Sequence, residues 1–375
     1  MPDPMFAQTA LVLQGGGALG AYQAGVYEAF AAHDLEPDWF SGISIGAINA
    51  AIMAGNEPRR RVARLQEFWE GVTSNFFMPA PHRIAELRSV FNSQIAGLIT
   101  VYGAQGFFQP RFPPAISYPQ GSREALSIYD SSPLRETLLK LVDFDRINAR
   151  KSRISLGAVS VQTGNFIYFD NAERTIGPEH VMASAAIPPG LPPIEIDGEL
   201  YWDGGLVSNT PLTQVLDRDP DRDTLVFQVD LFGARGPVPR DLFEAEERRK
   251  DIVFSSRTRL VTDTFRKTYA QCRAIQKLYG LLTPEQQQNP GVQALRALGG
   301  DSMHKVAIVH LIYRRKPYES QAKDYEFSRS SMRDHWRAGF EDAAVTLANP
   351  RWDDPAPDTD GIRVFDLTRD QEGPD

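Results

Sequence analysis

Ser44 lies in Gly42-Ile43-Ser44-Ile45-Gly46, with an apolar run before it and small residues (Ala47, Ala50, Ala51) after it. A serine held in a sharp turn between strand and helix is exposed as a nucleophile, and a side chain at either flanking glycine would collide with the neighbouring backbone. A glycine-bounded helix cap would also use a serine, but it does not explain both glycines. Gly15-Gly16-Gly17 opens the preceding helix. Free N–H groups at a helix start can receive a developing oxyanion, and glycines let a substrate carbonyl come close. Loss of one such donor costs ~10²–10³ in kcat. The competing reading is a phosphate loop. No Gly-Lys-Ser/Thr follows, however, and GGGALG fits the dinucleotide fingerprint poorly.

A serine hydroxyl needs a base. His33, His82, His180, His304, His310 and His335 occur singly, in settings with no common signature. Asp203, followed by Gly204-Gly205, is the stronger candidate. An aspartate with an ordinary pKa near ~3.9 is a poor base, so Asp203 must be partly desolvated and within hydrogen-bond reach of Ser44. The plain alternative is an aspartate in an Asp-Gly turn.

The elements that must carry these groups are legible from periodicity. Residues 9–14 and 39–43 read as short buried strands, each followed by a helix (18–34 and 45–54). Two strand-turn-helix units in tandem argue for a parallel sheet with helices on its faces. Residues 153–161 and 165–169 read as a hairpin, as do 194–196 and 199–202 around Asp197-Gly198, which returns the chain to Asp203. Two later apolar runs, 224–230 and 306–313, are expected to rejoin the same sheet, and the Pro- and Asp-rich tail from Asn349 is expected to be loosely ordered at its end.

In the order glycine loop, Gly-x-Ser-x-Gly, Asp-Gly-Gly, the chain resembles the patatin-like phospholipase family. The matches are GGGALGAYQAGV (15–26), GISIGAINA (42–50), ASAAIPPGLPPI (183–194) and DGGL (203–206). The resemblance implies a three-layer α/β/α fold with a mainly parallel central sheet, a catalytic domain over 8–212 and a C-terminal helical extension over 213–375. It also implies a Ser44–Asp203 dyad without histidine, an oxyanion hole from Gly15, Gly16 and Gly17, and hydrolysis of acyl esters through an acyl-serine, with no metal or organic cofactor. The implied substrate is a phospholipid, lysophospholipid or neutral acyl ester. An acyltransferase, a polyhydroxybutyrate depolymerase and a non-catalytic lipid-binding or granule-surface protein are the alternatives. Two departures bear on the head group: Leu19 stands where many members carry Arg or Lys, and Gln14 where an aspartate is common.

Composition sets the remaining bounds. The 375 residues are 42% hydrophobic and 23% charged with a formal charge of −8, an ordinary globular balance that argues against a nucleic-acid partner. One cysteine, Cys272, forms no internal disulfide. No signal peptide and no membrane-spanning run is evident, so a cytoplasmic protein is expected. Residues 76–118 are rich in Phe and Pro, and Ile84, Leu87, Phe91, Ile95 and Leu98 recur at helical spacing within them. They fit either a cap over the serine or a helix packed on the core. Residues 248–277 hold nine Lys and Arg against two Asp, a local +7, above an apolar stripe. They fit either peripheral contact with an anionic membrane or a solvated helix docked on the catalytic region.

Overall fold

A computed structural model describes residues 6–73, 85–217, 223–298, 305–314, 316, 319, 322–353 and 361–367. Phe76, Phe77, Pro79, Pro81, His82, Ile84 and His304 lie outside the described residues. The first part of the chain forms β1 (Gln8–Leu13), α1 (Ala21–Ala32), β2 (Trp39–Gly42), α2 (Ile45–Ala54), α3 (Pro58–Val72) and α4 (Ala85–Tyr102). A small antiparallel pair of two-residue strands, β3 (Gln109–Pro110) with β4 (Tyr129–Asp130), then α5 (Ser132–Leu141) and α6 (Phe144–Asn148) lead to β5 (Arg153–Ser160) and β6 (Phe166–Asp170). After α7 (Pro178–Ser184) come β7 (Ile194–Ile196), β8 (Glu199–Asp203), α8 (Leu212–Asp217) and β9 (Thr224–Asp230). The remainder is α9 (Leu242–Phe254), α10 (Thr258–Gly280), α11 (Pro284–Gln287), α12 (Pro290–Leu298), β10 (Val306–Ile312), α13 (Arg329–Leu347) and β11 (Ile362–Asp366).

The sheet runs β11-β10-β9-β1-β2-β5-β8-β7, with β6 on the other side of β5. From β11 to β5 all neighbours are parallel. Strands covered on both faces must be apolar at consecutive positions, and β1, β9 and β10 are. Their alternate residues divide between two cores. Leu11, Leu13, Phe227 and Val309 belong to the core under α1, α2 and α13. Ala10, Val12, Val226 and Ile308 face Val215 of α8, with Val261 and Phe265 of α10 packed against them. The result is a three-layer α/β/α architecture. No helix among the described residues is long and apolar enough to cross a membrane.

Within the tail, Ile362–Asp366 pairs along β10 as an edge strand with Ile362 and Phe365 buried, while the residues after Leu367 lie outside those described. Two expectations need correction. The stripe on α4 is rotated: Leu87 and Leu98 are exposed, while Arg88, Asn92, Ile95, Ala96 and Ile99 are buried. The guanidinium of Arg88 can be buried because Asp334 of α13 pairs with it at 3.0 Å and Asn92 accepts from it at the same distance. The basic segment is not one helix but the end of α9 and most of α10, broken between Phe254 and Thr258.

The C-terminal helix α13 packs on α1 at backbone contact. A methyl group at Gly25 would fall on the carbonyl oxygen of Trp336, and one at Gly339 on that of Tyr22. We expect Gly25→Ala and Gly339→Ala each to destabilise the protein by about 1–3 kcal/mol, the usual cost of overpacking. In urea unfolding, the double variant should lose less than the two losses added, because one shift of the helix pair relieves both clashes.

Candidate active site

Ser44 and Asp203 are brought together by one strand edge. Strand β2 runs along β5 and ends with Gly42 opposite Leu156. Strand β8 runs the opposite way along the same edge and ends with Asp203 opposite Ala158. The two strand ends therefore point at each other across Gly157. A side chain there would strike Phe166 and Ile43, and one at Gly204 would strike the carbonyl of Gly157.

Leaving β2, the chain turns through Ser44 at φ 56°, ψ −125°, a left-handed conformation that costs free energy for a residue with a side chain. The turn holds because Ser44 N–H donates to the carbonyl oxygen of Ser184 at 3.1 Å and to its hydroxyl at 3.2 Å. That hydroxyl in turn donates to Gly157 O at 2.6 Å. A methyl group at Gly42 would overlap the Gly46 carbonyl, and one at Gly46 the Leu13 carbonyl. Both glycines are thus required by space. Asp203 is anchored by its N–H to Ala186 O at 3.0 Å. The segment 183–194, quoted above for its sequence alone, braces both residues.

The Asp203 carboxyl accepts hydrogen bonds from the Ser44 side chain and from Gly205 N–H at 2.7 Å. Burial raises its pKa to about 7, against the smaller opposing pull of those two bonds. The described histidines are engaged elsewhere: His33 with Ala29, His180 with Gly177, His310 with Asp230 and His335 with Glu319.

The glycine loop faces this pair. Gly15, expected among the oxyanion donors, commits its N–H to Asn209 O at 3.1 Å. Its contribution is space, since a side chain there would meet Asn209 and Ser44. Gly16 and Gly17 carry N–H groups with no acceptor among the described residues. Gln14 is buried, and its amide is fully used. It accepts from Leu231 N–H at 2.6 Å and Phe232 N–H at 2.9 Å, and donates to Thr210 at 2.8 Å and Phe254 O at 3.0 Å. An aspartate could supply only the acceptors. Leu19 is buried in the core, so the glycine loop presents no cation.

Ser44, Asp203 and the three glycines line a cavity of about 470 Å³. Its walls are apolar, with Ile99 and Phe107 from α4 and the following turn, Leu191 from the 183–194 segment, and Phe232, Phe254 and Phe327 from the C-terminal part of the chain. Sequence reasoning quoted the segment holding Ser184 without a role for it, and had no local signal for Asn209 or these last three aromatics, all of which reach the site through tertiary packing.

A family model described as Patatin-like phospholipase matches residues 11–216, more than half of the chain. The chain belongs to the patatin-like phospholipase family. A second model, described as Patatin phospholipase, matches residues 252–359, so the part carrying α10, β10 and α13 is also found among patatin-like proteins. Over 66 residues the chain is 36% identical to the protein named Triacylglycerol lipase SDP1L of Arabidopsis thaliana, a match covering 18% of this chain and 8% of that protein. Among solved structures, VipD from Legionella pneumophila aligns over 91% of this patatin-like chain and 66% of its own, with a TM-score of 0.41 and 14% identity.

The raised pKa of Asp203 has a consequence for stability. The folded carboxyl keeps its proton to about pH 7, whereas an unfolded aspartate releases it near ~3.9. The resulting penalty is absent below about pH 4, grows as pH rises towards about 7 and is constant above that. Asp203→Asn should therefore unfold at higher urea than the wild type at pH 8, by a few kcal/mol, and at nearly the same urea near pH 4.

Proposed function

We propose that this protein is a serine lipid acyl hydrolase that uses Ser44 as nucleophile and Asp203 as its only side-chain base, within a catalytic unit spanning about 8–212. The observation carrying this reading is the buried Asp203 carboxyl, raised to about 7 and hydrogen-bonded to a serine in a left-handed turn. A carboxylate of that pKa is matched to proton transfer near neutral pH. In this mechanism Ser44 attacks the ester carbonyl as Asp203 takes its proton. The oxyanion is received by the free N–H groups of Gly16 and Gly17. Asp203 then hands the proton to the leaving alcohol, and acyl-Ser44 remains. Water enters and attacks the acyl carbon as Asp203 takes its proton; Asp203 then returns that proton to Ser44 Oγ as the C–Oγ bond breaks and the acid leaves.

The apolar walls support an acyl chain as the buried part of the substrate. Among the described lining residues none is Lys or Arg, which favours a neutral acyl ester over recognition of an anionic head group. The local likeness to a triacylglycerol lipase supports the same direction. Ser44→Ala should lose all ester hydrolysis and all labelling by a fluorophosphonate while unfolding like the wild type. In the wild type kcat/KM should rise with pH through about 7 and level off above it, since Asp203 must be ionised to accept the proton. Absence of labelling in wild type would favour the non-catalytic binder, and product appearing as an ester of an added alcohol would favour acyl transfer.

Substrate access supports contact with a lipid surface through the cavity mouth. Beside lining residues Thr100, Tyr129 and Gly205 stand the exposed Val101, Tyr102, Ile128, Leu206 and Val207, and the loop leaving β3 exposes Phe112 and Ile116 at 92% and 94%. In the basic segment, by contrast, Arg248 donates to Gly233 and Ala234 carbonyls, Arg249 pairs with Glu246 and Lys250 with Asp324, while α10 is docked by Val261 and Phe265. Phe112→Ser with Ile116→Ser should reduce partitioning onto phosphatidylcholine vesicles several-fold. Arg259→Gln with Lys267→Gln should leave it nearly unchanged in vesicle flotation.

A further inference from the structure

The glycine loop is braced from outside the catalytic unit. Ala18 N–H donates to the carbonyl oxygen of Asp324 at 2.7 Å, and a side chain at Gly17, where φ is +54°, would fall on that same oxygen. Asp324 therefore sits directly against the turn that presents the Gly16 and Gly17 N–H groups. Its position is fixed by charge. Lys250 of α9 meets the Asp324 carboxylate at 2.5 Å. The residue after Lys250 and the residue before Asp324 make the reciprocal pair, Asp251 with Lys323 at 2.7 Å, and Glu247 one turn back lies 3.5 Å from the same ammonium. Lys323 is almost wholly buried, at 4% exposure of its side chain. Lys-Asp on the helix thus matches Lys-Asp on segment 322–327, and each cation faces an anion.

Helix α9 is in turn tied to the site. The carbonyl of its last residue, Phe254, accepts from Gln14 at 3.0 Å and from Asn209 at 2.9 Å, and Asn209 also donates to Gly15 O at 3.0 Å. The chain of contacts is closed: glycine loop, Gln14 and Asn209, α9, the paired charges, Asp324, glycine loop. Tyr325 and Phe327, carried by the same segment, line the cavity.

We infer that the double ion pair between α9 and residues 322–327 is a clasp that sets the oxyanion loop, with Asp324 as a positioning residue acting through its carbonyl on Ala18. Removing one member of the part-buried Lys250–Asp324 pair, with side chains 18% and 22% exposed, takes away the contact that holds Asp324 beside α9 and unbalances the buried Lys323 cluster next to it, so the segment should shift and release the Ala18 N–H. The catalytic consequence rests on the hydrolase reading above, but the clasp itself does not.

The test uses the full chain with Lys250→Met, Lys250→Arg, Asp324→Asn and the swap Lys250→Asp with Asp324→Lys. Residue-resolved hydrogen exchange should show the Ala18 amide exchanging at least about tenfold faster in Lys250→Met and Asp324→Asn, with Lys250→Arg near wild type and partial recovery in the swap. Against a short p-nitrophenyl ester the same two variants should lose about tenfold or more in kcat, with KM within about twofold, because an oxyanion donor acts in the transition state. Unchanged Ala18 exchange in a folded Lys250→Met or Asp324→Asn overturns the clasp, as does altered exchange with an unchanged kcat overturn its role in positioning. If Lys250→Met does not fold, the near-isosteric Asp324→Asn decides alone. Wild-type protein without esterase activity would count against the hydrolase reading, and the exchange result would still decide the clasp.

Discussion

Two strands approaching head to head along one edge of β5 create the site. Because β2 stops opposite Leu156 and β8 stops opposite Ala158, their junction falls beside Gly157 of β5, where a side chain would strike Phe166 and Ile43. The serine must leave that edge through a left-handed turn, and the aspartate must enter it with its carboxyl already beneath the sheet's covering layers. Everything else at the site supports this meeting. Ser184 hydrogen-bonds the turn, Ala186 holds Asp203, and the Gly42 and Gly46 positions clear the space that the turn crosses.

The same burial that raises the pKa of Asp203 also opposes folding. A carboxyl in water would be ionised at neutral pH and far too weak a base. Here desolvation moves it to about 7, and among the described residues two hydrogen bonds offset the loss of solvent. A third donor or a nearby cation would stabilise the carboxylate and lower its basicity. The absence of Lys and Arg from the described lining leaves the raised pKa of Asp203 unopposed by any cation there.

The glycine loop depends on neutral amides and distant charges rather than on a charged pair of its own. Gln14 satisfies two N–H groups and two acceptors at once, and Gln23 donates to Gln14 O at 2.7 Å and accepts from Asn49 at 2.9 Å. This buried line continues to Trp69, whose indole donates to Asn49 at 3.1 Å. The C-terminal part of the chain is not an appendage to this arrangement. It provides three strands of the sheet, the helix that seats on α1 through facing glycines, and aromatic walls of the cavity.

Local steric and turn chemistry made much of this legible in advance. The run to Leu13, the Gly42–Gly46 pattern and the Asp197-Gly198 turn, with φ of 53° and 83°, obey rules that act over a few residues, so their elements, and Ser44 at a strand end, could be read directly. What the sequence could not determine was any relation that depends on register between distant strands. That Asp203 faces Ser44, that Gly15 uses its N–H internally while Gly16 and Gly17 do not, and that the tail returns as β11 are all decided by long-range pairing. The buried face of α4 was misread for a similar reason: Arg88 and Asn92 look like surface residues until Asp334 is placed opposite them. Periodicity reports which residues can be buried. Only the tertiary structure supplies the partners that make burying a charge or freeing an N–H affordable.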